Sequence, residues 1–286
     1  MQFNAAHGAS SVKAEILAEV EASGIPEVSV MFRAVRSDME LSYRPEAVYH
    51  AASTMKVPVM VAAYALASSG LLKLDQPIPI YNRFKSIADA SIYSVDPEED
   101  SETELYGQLG AKLPVRDLVD RMITHSSNLA TNILVDRITP EFIQELMDGL
   151  GCWDFRVLRG VEDGPAYRAG LNNQVTARAY GELLLRMARG AAVNPNSDRE
   201  MVAVMKRQTH RAGLPSGAPG GFTVASKPGW TSKVVHDGGI FYRGDEAQFV
   251  LCVLTAGATS ETEARGLMGR LAALACSGYY KENLCG

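Results

Sequence analysis

Apolar positions recur along the chain in more than one rhythm, and each rhythm predicts its own kind of element. Val12, Ile16, Leu17 and Val20 fall at helical spacing and predict a helix over Ser11–Ala22. Two strand-like runs follow, Glu27–Val35 and Met39–Tyr43, separated by Arg36-Ser37-Asp38 in the manner of a hairpin. The apolar run from Val57 to Leu72 reads as a buried helix ending near Gly70. Helical periodicity returns in Val115–Thr124 and Leu129–Ile138. Thr139-Pro140-Glu141 places a cap before a proline at the first helical position, and the helix it starts stops at Gly149. Thr176–Arg189 predicts another, stopped at Gly190. Beyond the Gly/Pro loop Gly213–Gly221 the pattern reverts to strands: Phe222–Ser226, Gly238–Tyr242 and Gln248–Thr255, the last two joined by Arg243-Gly244-Asp245. A final helix is predicted over Glu261–Ala275.

Strands therefore sit at both ends of the chain, and helices fill the middle. The simplest solution is an α+β fold: one antiparallel sheet built from both chain ends, flanked by helices, with an all-helical region inserted. Residues 1–286 read as one domain, with 1–50 plus 215–286 forming the sheet and terminal helices and 51–214 the helical region. A cleft is expected between the two parts. No period of 20–50 residues repeats, which speaks against a solenoid. The acidic stretch Asp96–Glu104 reads as a solvated loop.

Composition narrows the function. Lys+Arg number 28 against 33 Asp+Glu, a formal charge of −5. Nucleic-acid binding needs clustered cations, so it is not expected. No run of 18 apolar residues occurs, so no membrane-spanning helix is predicted. The opening Met-Gln-Phe-Asn-Ala-Ala-His has no basic segment followed by an apolar one, so no signal peptide is read there. Cys152, Cys252, Cys276 and Cys285 form no CxxC pair, which leaves no metal spacing; Cys252 and Cys276 lie in apolar patterns and read as buried thiols. HExxH, GxSxG, GxGxxG and GxxxxGK[ST] are all absent. His7, His50, His125, His210 and His236 are scattered and read as surface or packing residues.

Ser53-Thr54-Met55-Lys56 lies where the buried helix begins. A serine there sits at the positive end of the helix dipole, and a lysine three residues on returns to the same face. A partly buried amine near other cations would have a depressed pKa and could act as a base. Alone the pattern is weak: Ser-x-x-Lys is expected roughly once per chain of this size, and Ser10-Ser11-Val12-Lys13 shows it too. Two further patterns occur once each: Ser126-Ser127-Asn128, at a junction of two helices, and Lys227-Pro228-Gly229, at the end of the strand-like run Phe222–Ser226.

The ordered set SxxK, SxN, KxG resembles the class A β-lactamase-like serine hydrolases of the β-lactamase and penicillin-binding protein superfamily. Ala51–Pro58, Val115–Leu134, Thr176–Leu184 and Lys227–Gly239 share in the resemblance, in the family's element order. It implies that Ser53 is the nucleophile, activated by Lys56, and that Ser126 relays a proton to the leaving nitrogen. Asn128 would hold the substrate's side-chain amide, and Lys227 would supply positive charge near Ser126 and the substrate carboxylate. The backbone N–H groups of Ser53 and Trp230 would form an oxyanion hole, with Gly229 allowing close approach of the strand. Glu162, ahead of the Thr176-Ala177-Arg178 helix start, is the candidate activator of the deacylating water. The resemblance also implies a small-molecule substrate, no cofactor or metal, a monomer, and work in the periplasm or outside the cell.

Three positions depart from the family pattern. Ser127 stands where the SxN motif usually has aspartate. Pro228 replaces the hydroxyl residue usual in KxG, removing a donor worth on the order of 1.5–3 kcal/mol to a charged group; Thr231 or Ser232 is a possible substitute. The asparagine expected after the glutamate is missing: Ala166 is four residues beyond Glu162, and Asn172 and Asn173 come later. These features leave three functions in view. They are a β-lactam hydrolase, a D-alanyl peptidase or esterase of peptidoglycan that holds β-lactams as slow adducts, and a non-catalytic penicillin-binding sensor.

Overall fold

The computed structural model describes the backbone of residues 5–284 and the side chains of residues 12–279. The first four residues, the side chains of Ser10 and Ser11, and Cys285 lie outside the described residues. Helix α1 (Ala5–Ala22) leads into the predicted hairpin, β1 (Glu27–Ala34) and β2 (Glu40–Tyr43). Short strand β3 (Tyr49–His50) and a 3₁₀ turn, Ala52–Met55, precede the buried helix α2 (Lys56–Ser68). Four short strands follow: β4 (Pro77–Pro79), β5 (Phe84–Lys85), β6 (Ile92–Tyr93) and β7 (Lys112–Pro114). Helices α3 (Val115–Thr124), α4 (Asn128–Ile138), α5 (Pro140–Gly149) and α6 (Gly164–Arg168) come next. Then come β8 (Gln174–Val175), α7 (Ala177–Ala188) and α8 (Pro195–Lys206). The chain finishes with β9 (Phe222–Trp230), β10 (Val234–Arg243), β11 (Glu246–Ala256) and α9 (Glu261–Leu284).

The sheet is antiparallel with strand order β2-β1-β11-β10-β9, so the two chain ends meet where β1 pairs with β11. Both faces of the central strands are covered. In β1, Val28, Val30 and Phe32 face the layer that holds Val12 and Ile16 of α1 and Leu267 and Leu271 of α9. Met31, between them, faces the helical region with Cys252 and Leu254 of β11. The alternation along a strand thus divides the apolar residues between two cores. Helix α2 is buried on every side from Val57 to Tyr64. An all-round apolar helix must be enclosed by others, and α3, α4, α5 and α8 surround it.

Two readings from the sequence need correction. Lys227-Pro228-Gly229 does not end a strand: β9 runs through it to Trp230. Proline is tolerated because β9 is the sheet edge. Thr231 N donates to Val234 O, so the antiparallel alternation brings Gly229 into bonding register with His236 and turns the N atoms of Pro228 and Trp230 outward. The acidic stretch Asp96–Glu104 is not merely a solvated loop, since Asp100 and Glu102 are buried. Helix α8 was not anticipated, although Asn194, whose side chain caps Asn196 N and Ser197 N, stands directly before Pro195.

Candidate active site

The 3₁₀ turn that carries Ser53 is pressed against the edge strand. A Cβ built on Gly229 would lie 2.7 Å from both Ser53 N and Thr54 N. Only glycine fits this approach, and it brings the outward N–H of Trp230 to the same side of the cleft as the N–H groups of the Ser53 turn. A cavity of 570 Å³ opens there, lined by Ser53, Asn128, Glu162, Trp230 and Thr231 among others.

The two lysines come from opposite sides of the cleft. Lys56 and Lys227 are both 0% exposed. Lys56 Nζ donates to Ser126 O at 2.6 Å, to Ser126 Oγ at 3.2 Å and to Asn128 Oδ1 at 2.8 Å. Lys227 Nζ donates to the same Ser126 Oγ at 2.9 Å and to Pro228 O at 2.9 Å. One hydroxyl therefore sits between two ammonium groups contributed by residues 56 and 227. Burial lowers the Lys56 pKa to about 7, against the opposing pull of the Asp100 and Glu162 carboxylates. Burial, with Lys56 close by, holds Lys227 well below the ordinary lysine value. An ammonium has three protons to donate, and Lys56 uses all three on Ser126 and Asn128. It can accept a proton from Ser53 only after releasing one of its own.

Ser126 is held with φ of 62°, and Glu162 with φ of 60°. Such conformations persist in non-glycine residues only where the surroundings impose them. Glu162 Oε1 accepts from Asn128 Nδ2 and Oε2 from Asp96 N, both at 2.8 Å. Desolvation raises its pKa. Asn132, one helical turn beyond Asn128, clamps the residue before Glu162. It donates to Val161 O at 3.0 Å and accepts from Val161 N at 2.7 Å. The spacing Asn128…Asn132 on one helix face was a readable signal for this pair.

The remaining predicted positions serve the frame. Ala166 is buried in α6. Asn173 Oδ1 accepts from Leu158 N and Arg159 N, and Asn172 Oδ1 from Arg159 Nη2, so these two asparagines close the neck of the Glu162 loop. Thr231 Oγ1 accepts from Lys233 N in the β9–β10 turn. Ser127 caps α4 by accepting from Ala130 N. Trp230 lies edge-on to His210, with ring centroids 5.1 Å apart, and Arg265 covers it at 4.8 Å. His236 is buried, its Nε2 bonding His50 O and its Nδ1 accepting from Thr255 N, a packing role. Cys152, Cys252 and Cys276 are buried free thiols. Among the described residues no group of three His, Cys, Asp or Glu could hold a metal ion, and no helix is long and apolar enough to cross a membrane.

Residues 11–279 match the family model described as "Beta-lactamase enzyme family". The chain belongs to that family. No curated protein matches it. Among solved structures it is similar to PBP-A, with a TM-score of 0.79 at 20% identity over 95% of this chain and 96% of that one. A β-lactamase from Sphaerobacter thermophilus DSM 20745 superposes with a TM-score of 0.79 at 23% identity, covering 95% and 98% of the two chains. A PBP-A mutant solved as an acyl-enzyme complex with penicillin G gives 0.80 at 20% identity, over 95% and 97%. The fold is that of the β-lactamases, and family and fold together point to a serine β-lactamase-like hydrolase.

Proposed function

We propose that the protein forms an acyl-enzyme on Ser53 and hydrolyses the amide of β-lactams. The observation that carries this reading is the convergence of Lys56 and Lys227 on Ser126 Oγ, at 3.2 and 2.9 Å, beside the cavity that Ser53 lines. A packing role has no use for two buried ammonium groups on one hydroxyl, because each costs several kcal/mol to desolvate.

The geometry supports the following chemistry. Lys56, neutral above about pH 7, takes the Ser53 proton as Oγ attacks the lactam carbonyl. The N–H groups of Ser53 and Trp230 receive the charge that develops on the carbonyl oxygen. Ser126 passes its proton to the departing nitrogen, and the two flanking ammonium groups keep its oxygen supplied with protons. Lys227 adds positive charge toward the substrate carboxylate, while Thr231 offers a hydroxyl where Pro228 has none. Glu162, its pKa raised by burial, takes a proton from the deacylating water, with Asn128 holding one of its oxygens. All these groups line or border one cavity of a size that suits a small molecule.

A second reading, an acyl-transfer peptidase or esterase on cell-wall peptides, is favoured by Pro228 and by the buried Ala166. Neither can place a substrate carboxylate or a water by hydrogen bond through its side chain. Intact-mass analysis after incubation with a chromogenic cephalosporin and with benzylpenicillin separates the two. Turnover without a persisting adduct supports the β-lactamase, and a long-lived adduct that Ser53→Ala abolishes supports the second. Neither turnover nor adduct leaves a binding protein.

A further inference from the structure

Residue 127 lacks the carboxylate that its motif usually carries, yet a carboxylate occupies the space beside it. Asp100, on the loop between β6 and β7, is 7% exposed. Its Oδ1 and Oδ2 both accept from Asn128 N at 2.9 Å, and Oδ2 accepts from Leu129 N at 3.0 Å. Ser127 Oγ points at Oδ2 from 3.5 Å, and Tyr106 OH donates to it at 2.9 Å. These contacts satisfy the first backbone donors of α4, where the helix dipole also favours an anion. The loop is itself fixed to α3, because Glu102 Oε1 accepts from Arg121 Nη1 at 2.7 Å. Its Asp96 N holds Glu162 Oε2.

We propose that Asp100 is the positioning residue that holds the Ser126–Asn128 turn in its reactive shape, supplying from a distant loop the carboxylate that residue 127 has lost. Ser126 precedes the anchored N–H groups and is held at φ 62°. Its Oγ stays between Lys56 and Lys227 only while that turn is fixed. Asn128 Oδ1 reaches Lys56, and Asn128 Nδ2 reaches Glu162, only while Asn128 N is pinned. The carboxylate also faces Lys56 electrostatically, together with Glu162 and with the cation Lys227 on the opposite side. Asp100 thus sets both the geometry and part of the charge balance of the site.

The inference rests on the acyl-enzyme reading for its kinetic consequences but not for its structural ones. The test compares wild type, Asp100→Ala, Asp100→Asn, Ser127→Asp and the double variant Asp100→Ala/Ser127→Asp. Acylation by benzylpenicillin is followed by intact mass across pH, and unfolding by guanidinium. Asp100→Ala should acylate roughly 10²-fold more slowly, as expected of a displaced reactive group. The acid limb of its rate profile should move to lower pH, because one of the two carboxylates that raise the Lys56 pKa is gone. Asp100→Asn should keep most of the stability and show the same shift of the limb. Ser127→Asp alone crowds two carboxylates and should lower both the unfolding midpoint and the rate. Restoring one carboxylate per site in the double variant should recover at least tenfold in rate over Asp100→Ala, and should raise the midpoint above both single variants. Wild-type acylation and an unmoved pH limb in Asp100→Ala would overturn the proposal, as would a double variant worse than either single. If the wild type forms no adduct, the acyl-enzyme reading fails, and the sign of the coupling between positions 100 and 127 in the unfolding midpoints still decides this one.

Discussion

Replacing Gly229 by alanine tests the oxyanion hole without touching any ionisable group. The added methyl would sit 2.7 Å from Ser53 N and from Thr54 N, and 3.2 Å from Ser53 C. All three are backbone atoms, so no side chain can swing away. The strand and the serine turn must part by about 0.7 Å to reach the 3.4 Å of an ordinary contact. Overpacking of this kind costs about 1–3 kcal/mol of stability. The kinetic effect should exceed what that loss implies, because the same displacement separates the N–H of Trp230 from that of Ser53. Loss of one such donor costs about 10²–10³ in rate. Guanidinium unfolding gives the stability change, and single-turnover acylation by benzylpenicillin gives the rate. A variant that stays folded and acylates within a factor of three of wild type would refute the two-donor hole, and with it the role of the Trp230 N–H.

Three other expectations follow from the same geometry. Glu162→Gln should leave acylation nearly intact and lengthen the adduct's lifetime by at least about 10²-fold; equal deacylation rates by mass spectrometry would remove Glu162 from the water's path. Wild-type acylation should rise with pH through about 7 as Lys56 becomes neutral, and Lys56→Ala should be slowed far more than it is destabilised, as stopped-flow rates and unfolding midpoints would report. Asp237 is buried, with Oδ2 accepting from Leu214 N, and its pKa is pushed up to about 7 by burial. Its folded pKa lies above the unfolded value of 3.8, so the stability it contributes is complete below pH 4 and is lost as pH rises toward 7. Asp237→Asn should flatten that decline by on the order of 1 kcal/mol per pH unit, read from urea unfolding at pH 5 and 7.

The linear pattern of residues determined much of this protein. The strand-like apolar runs of β1 and β11 are written in the sequence because each strand buries both faces. The all-round apolar run of α2 could only be an enclosed helix. Ser53, Lys56, Ser126, Asn128 and Lys227 were legible because they lie in short motifs whose spacing is local. What the sequence withheld is what depends on contacts between distant segments. Nothing distinguishes Asp100 from its acidic neighbours until the loop folds back and only this carboxylate meets the N–H groups of Asn128 and Leu129. That Lys56, read from the sequence as a neighbour of Ser53, also donates to a turn seventy residues away is visible only in the fold. Lys227-Pro228-Gly229 read as the end of the run Phe222–Ser226, and only the strand order and register reveal that the strand continues with the proline nitrogen facing outward at an edge. Motif chemistry is carried by neighbours along the chain, whereas burial, charge balance and the direction of a proton are set by neighbours in space.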